Sequence, residues 1–252
     1  LLTGSMSRSE RKAVIENAAS GEVDLVVGTQ ALLSSDVQFK DLGLVIVDEQ
    51  HKFGVVQRAK LRTESQQPHY LVLSATPIPR TIAMTAFGDL DVSTIREKPP
   101  GRAPVNTYIA TPENLPAWWE FVDRQLSKGR QAYVIAPRVA EVDSSDAASA
   151  EGIYESLRDG PLSHRRIGLL HGRLESSDKE SVLGQFSRGD LEVLVATTVV
   201  EVGIDVPNAT LMSILDANKL GLSQLHQLRG RVSRSSHSGF VCAVAAAGCD
   251  TE

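Results

Sequence analysis

Val45-Ile46-Val47-Asp48-Glu49-Gln50-His51 runs three β-branched residues straight into two adjacent carboxylates. Such a run favours a strand, and a continuous apolar stretch is how a strand covered by helices on both faces reads. The carboxylates then fall at the strand's C-terminal end, where open α/β sheets place their ligands. Hydrolysis of ATP needs a carboxylate to hold Mg2+, often through water, and a second polar group to position or deprotonate the attacking water. Asp48, as the metal holder, and Glu49 are suited to those two roles. By itself an Asp-Glu pair after a strand reads equally well as the cap of a following helix, so the surrounding sequence must choose.

Downstream, Leu71-Val72-Leu73-Ser74-Ala75-Thr76-Pro77 is a second apolar run with hydroxyls at its end. Ser74 and Thr76 are placed to hydrogen-bond a carboxylate site next door, and His51 to connect the two strands. Across the whole chain, apolar runs of four to six residues alternate with longer amphipathic stretches, the pattern of a parallel sheet covered by helices. In the first half the pattern predicts a helix over 7–19, strands over 23–27, 44–47 and 70–73, and helical material from Gln57 and from Thr81. Pro99-Pro100-Gly101-Arg102-Ala103-Pro104 suits neither a helix nor a central strand and marks a linker. The expected organisation is one domain over 1–98, a linker over 99–105 and a second domain over 106–252. The second domain is predicted to hold strands over 105–110, 132–136, 167–170, 193–196, 211–215 and 240–245. Helices are predicted near 118–127 and over 147–158, with 139–150 leading into the latter as a loop.

Composition bounds the partners. The 252 residues are 42% hydrophobic and 23% charged, ordinary for a globular α/β protein, and the formal net charge of −5 argues against a domain that coats nucleic acid. Contact with nucleic acid must then be local. The two cysteines, Cys242 and Cys249, have neither metal-ligand spacing nor a disulfide framework around them. No stretch approaches the roughly 18 apolar residues of a membrane span, and the expected setting is the cytoplasm, with no membrane partner. The opening Leu1-Leu2-Thr3-Gly4-Ser5 reads as a strand running into a loop, so the chain is expected to begin inside a domain.

Three further groups carry chemistry. Gln224 to Arg234 contains Arg229, Arg231 and Arg234 within six residues of an acidic chain. Arginines offered from a neighbouring domain stabilise charge that develops on a transferred phosphoryl group, and Arg231 and Arg234, three apart, share a helix face if the helix continues that far. A solvated basic patch or a phosphate-backbone contact is the plainer alternative. Thr197-Thr198-Val199-Val200-Glu201-Val202-Gly203-Ile204-Asp205 follows a strand; its paired threonines, like Gly28-Thr29 in the first half, offer hydroxyls and amides to a phosphate. Helix capping accounts for each of these threonine sites taken singly.

Taken together these segments resemble the helicase core of the RecG family in superfamily 2. The resemblance rests on Asp48-Glu49-Gln50-His51 with Phe53-Gly54-Val55, Ala75-Thr76-Pro77-Ile78-Pro79-Arg80-Thr81, Gly88-Asp89-Leu90-Asp91-Val92-Ser93, Pro99-Pro100-Gly101-Arg102, Gly168-Leu169-Leu170-His171-Gly172-Arg173, and the 197–205 and arginine segments. It implies two RecA-like α/β domains with mostly parallel sheets, the first truncated at its N-terminal side. It makes Asp48 and Glu49 the Walker B pair, Ser74 to Thr76 the coupling motif, and Arg231 and Arg234 the arginine-finger region. Gly28, Thr29, His171, Arg173 and Thr197 would then lie toward DNA, while Gly203 and Asp205 line the nucleotide cleft. ATP and Mg2+ are the implied cofactors. Branched DNA, as in replication forks and Holliday junctions, is the implied partner of a monomeric parent acting in repair and recombination.

The sequence departs from that family in several places. It holds no Gly-rich loop ending in Lys and Ser or Thr, which would cradle the phosphates, no wedge domain and no helical hairpin after the arginines, and Ser233 stands where the family has glycine. The 252 residues alone are therefore expected to hydrolyse little or no ATP, and to self-associate through an exposed sheet surface. Other readings are a translocase like the transcription-repair coupling factor Mfd, which carries a second Glu where this chain has Gln50, a catalytically dead interaction scaffold, and an RNA helicase of the same superfamily.

Overall fold

The computed structural model describes residues 1–4, 6–48, 68–74, 91–95, 97, 101, 103–136, 145–197, 206–232 and 236–245. The chain divides into two compact units, Leu1–Asp91 and Val92–Glu252.

In the first unit, helix α1 (Arg8–Ser20) opens on a capping box. Ser7 Oγ accepts the Glu10 N–H, the Glu10 carboxylate accepts the Ser7 N–H, and Gly21 closes the helix at φ 77°. Arg11 donates to Asp36 at 2.8 Å and to Ser34 at 2.6 Å, pinning the helix to the following loop. Strands β1 (Leu44–Asp48) and β2 (His69–Leu73) pair in parallel, with Leu44 opposite His69 and Asp48 opposite Leu73. The expected strand over 23–27 does not form. The Leu2 N–H donates to Val27 O at 2.8 Å and the Thr29 N–H to Leu2 O at 3.1 Å, a single parallel bridge. A ladder needs a partner along its length; here the partner is the short segment at Leu2, so pairing stops after one bridge. The helices expected from Gln57 and Thr81 lie outside the described residues.

The second unit is a six-stranded sheet in which every pairing is parallel. Its strands are β3 (Val105–Ala110), β4 (Gln131–Ala136), β5 (Ile167–Leu170), β6 (Val193–Thr197), β7 (Ala209–Ile214) and β8 (Gly239–Val244), in the spatial order β3-β8-β7-β4-β6-β5. Parallel neighbours require crossovers, which are supplied by α2 (Leu115–Leu126), α3 (Ser145–Arg158), α4 (Ser176–Arg188) and α5 (Leu222–Val232). Alternate residues of β4 feed two cores: Tyr133 and Ile135 pack with Phe186, Leu228 and Val232, while Ala132 and Val134 pack with Trp118, Val122, Leu126 and Leu157. Helices thus cover both faces, which is why these strands read as unbroken apolar runs. Helix α4 was not among the predicted elements; Val182, Leu183 and Phe186 give it an apolar stripe and Gly189 ends it at φ 83°.

Phe186 is fully buried beneath the sheet, 5.1 Å centroid to centroid from Tyr133. Phe186→Ala is expected to destabilise the unit by about 3–5 kcal/mol, since a ring-sized void cannot close fully; urea denaturation followed by tryptophan fluorescence measures it.

Just before β5 and β6 begin, Arg165 donates to Asp123 at 2.7 Å and to Glu192 at 3.2 Å, and His164 lies 2.9 Å from Asp123. The Arg165 hydrogen bond holds the Asp123 carboxyl below its usual range. A carboxylate depressed in the folded state contributes stability above its unfolded pKa of about 3.9, and loses it as pH falls through the lower folded value. The urea midpoint should therefore fall as pH drops below about 4, and Asp123→Asn should flatten part of that slope. A slope unchanged in the variant would remove Asp123 from the account.

Candidate functional site

In the first unit, parallel register sets Asp48 opposite Leu73, so Asp48 and Ser74 emerge at the C-terminal ends of neighbouring strands. Both are exposed, and Asp48 has no ion pair among the described residues. An open carboxylate at a strand end is the donor an Mg2+ ion accompanying a nucleotide takes, so the residues present fit that group. Glu49, His51 and Thr76 lie outside the described residues.

Gly28 and Thr29 have a structural account. A Cβ on Gly28 would stand 2.2 Å from Leu2 O and 2.9 Å from the Leu32 side chain, so only glycine admits the Leu2 bridge. Thr29 Oγ1 accepts the Ala31 N–H at 3.5 Å and caps a short 3-10 turn over Gln30–Leu33. Capping thus gives Thr29 a structural role.

In the second unit the sequence-predicted residues occupy two separate places. His171 follows β5 and Thr197 ends β6, and the pairing of Leu170 with Ala196 makes them neighbours at the C-terminal ends of the strands. Both are buried, at 7% and 3% exposure, and His171 Nδ1 and Thr197 Oγ1 lack hydrogen-bond partners among the described residues. The nearest acidic group to the imidazole is Glu151 on α3, 3.5 Å from Nε2. Two residues on, Arg173 is exposed, in a loop whose Gly172 carbonyl accepts from Lys179 on α4 at 2.8 Å. Thr198, Gly203 and Asp205 lie outside the described residues.

Arg229 and Arg231 sit toward the other end of the strands, on the helix that leads into the start of β8. Helix α5 carries Gln227, Leu228, Arg229, Gly230, Arg231 and Val232, and Gln224 Oε1 accepts the Gly221 N–H at 3.1 Å at its start. Leu228 and Val232 bury against the sheet, and Val232 reaches Gly239, the first residue of β8. Arg231 is half-buried; Arg234 lies outside the described residues. Gly230 is exposed, and a Cβ there would meet nothing within 4 Å among the described residues. A glycine in a helix interior costs about 1 kcal/mol relative to alanine, and packing among the described residues gives no reason for it.

Residues 1–85 match the family model for the DEAD/DEAH box helicase, and residues 116–236 match the helicase conserved C-terminal domain. ATP-dependent DNA helicase RecG of Mycobacterium tuberculosis is 49% identical over 97% of the chain, and that of Bacillus subtilis is 50% identical over 95%. In sequence the chain is similar to the RecG helicases over nearly its whole length. It spans 35% of the length of each of these two relatives. The structure of RecG bound to a three-way DNA junction superposes with a TM-score of 0.72 at 40% identity, over 97% of this chain and 31% of that one. The helicase Lhr of Mycobacterium smegmatis, bound to ssDNA and AMP-PNP, superposes at 0.65 with 18% identity over 97% of this chain and 34% of that one, which shows the shared fold. RecA-like domains were the fold expected for a RecG helicase core.

Sequence reading missed two features of the site. One is the burial of His171 and Thr197, which depends on α3 lying over them and has no local signal. The other is Arg229, whose partners are more than a hundred residues away.

Proposed function

We propose that this chain is part of an ATP-dependent DNA translocase that remodels branched DNA, such as replication forks and Holliday junctions, in repair and recombination. One observation carries the reading: in a chain similar to the RecG helicases, Asp48 stands open at the end of β1, beside Ser74 at the end of β2. Asp48 would hold Mg2+, which would supply charge neutralisation at the phosphates, and Glu49 would orient and deprotonate the attacking water. Arg231 and Arg234 would stabilise charge on the same γ-phosphate. Arg173, exposed in its loop, is the side chain best placed to meet a DNA phosphate; His171 and Thr197, being buried, would hold the segments around them. Gly203 and Asp205 are assigned to the nucleotide, and the linker between domains to residues 99–105.

The 252 residues contain no Gly-x-x-x-x-Gly-Lys-Ser/Thr loop, and we assign them no ATP turnover of their own. DNA and RNA compared as stimulators of ATP hydrolysis by the complete protein test the reading. Stimulation by branched DNA and not by RNA is expected, and stimulation by RNA alone would overturn it.

A further inference from the structure

Arg229 is the arginine of the cluster for which the ATPase reading provides no role. Its Nε donates to Thr107 Oγ1 at 3.0 Å and its Nη2 to the Val105 carbonyl at 3.1 Å. Both acceptors lie at the start of β3, the strand that follows Pro104. Because among the described residues β3 is an edge strand paired only with β8, and the Gly239 N–H already uses the Pro104 carbonyl at 3.0 Å, the Val105 carbonyl faces the side on which no described strand lies. Arg229 takes the place of a strand there.

A second contact joins the same elements. A Cβ on Gly239 would lie 2.7 Å from Val232 and 3.1 Å from Val105, so the last residue of α5, the first of β8 and the first of β3 are stacked with no room to spare. The end of α5 is therefore fixed to the strand leaving the linker by a two-armed guanidinium and by close packing. The planar guanidinium is the side chain suited to two such acceptors at once; an ammonium satisfies them less well.

We propose that Arg229 is a positioning residue that locks the arginine-bearing end of α5 to the first residues of β3, so that Arg231 moves as one body with the chain segment leaving the linker. The inference rests on the ATPase reading above. A rigid mount matters because misplacing a reacting group by about 1 Å costs on the order of 10²-fold in rate.

The test uses the complete protein with DNA-stimulated ATP hydrolysis, comparing Arg229→Ala, Arg229→Lys, Thr107→Val and Thr107→Ser. Arg229→Ala should lower kcat by roughly 10- to 100-fold with KM for ATP within about twofold, the signature of an interaction expressed in the transition state. Arg229→Lys should fall between it and the parent, Thr107→Val should lose part of kcat, and Thr107→Ser, which keeps the hydroxyl, should recover it. If Arg229→Ala does not fold, the two Thr107 variants decide alone. A lowered melting temperature with kcat unchanged in folded Arg229→Ala and Thr107→Val would make the contact structural only and overturn the proposal. Glu49→Gln run alongside separates the failures: turnover lost there but intact in the Arg229 and Thr107 variants refutes this inference alone, and turnover intact in all refutes the ATPase reading with it.

Discussion

Glu49→Gln in the complete protein is expected to cut DNA-stimulated ATP hydrolysis by about 10²–10⁴-fold, the usual worth of a positioned general base. The amide keeps the size and one hydrogen-bonding oxygen of the carboxylate and loses its capacity to accept a proton. Nucleotide binding should persist, because Asp48 and not Glu49 is assigned to the metal. Asp48 is the last residue of β1 and Glu49 follows it in sequence. Steady-state hydrolysis, with fluorescent-nucleotide titration as the binding control, measures both effects. Unchanged hydrolysis would favour the interaction-scaffold reading of this fold.

Arg231→Ala should be at least as severe. Arginines that complete an ATPase site contribute about 10³–10⁵ in kcat, and Arg231 lies in the last turn of α5, a helix held by buried Leu228 and Val232 and by the Arg229 contacts. Arg231 itself is not part of the buried core, so truncation should leave the fold intact, with circular dichroism and melting temperature near those of the parent. Arg231→Lys should recover little, since a point charge does not reproduce the fork that spans two phosphate oxygens. Loss of activity together with loss of folding would instead make Arg231 a structural residue.

How far these roles could be read from sequence differs from element to element. Strands β4, β6 and β7 were legible because burial on both faces leaves an uninterrupted apolar run that no helix face would show. The helix over 7–19 was legible from its pattern, and the structure adds that its start is fixed by the reciprocal caps of Ser7 and Glu10. The failed strand at 23–27 has the right residues, and its missing property is a partner, which lies elsewhere in the chain. The same limit applies to the site. Asp48 and Ser74 announce themselves by standing at the ends of apolar runs. Gly28 beside Thr29 reads the same in sequence whether the glycine admits a ligand or another backbone, and the close passage of the Leu2 backbone, which leaves no room for a Cβ at Gly28, depends on a segment distant in sequence. Arg229 looked interchangeable with Arg231 in a run of cations; its distant acceptors on β3 set it apart.

The account depends on the acidic pair and the arginine pair acting on one γ-phosphate. Trapping of ADP with aluminium fluoride, a mimic of the transferring phosphoryl group, by the complete protein on DNA tests this most directly. Glu49→Gln and Arg231→Ala should each weaken the trapped complex by at least about 10²-fold, within the range by which transition-state analogues exceed ground-state ligands, while affinity for ADP alone stays within a few-fold. Trapping as tight as the parent's in Arg231→Ala would show that Arg231 does not reach the phosphate served by Asp48 and Glu49, and would contradict the account.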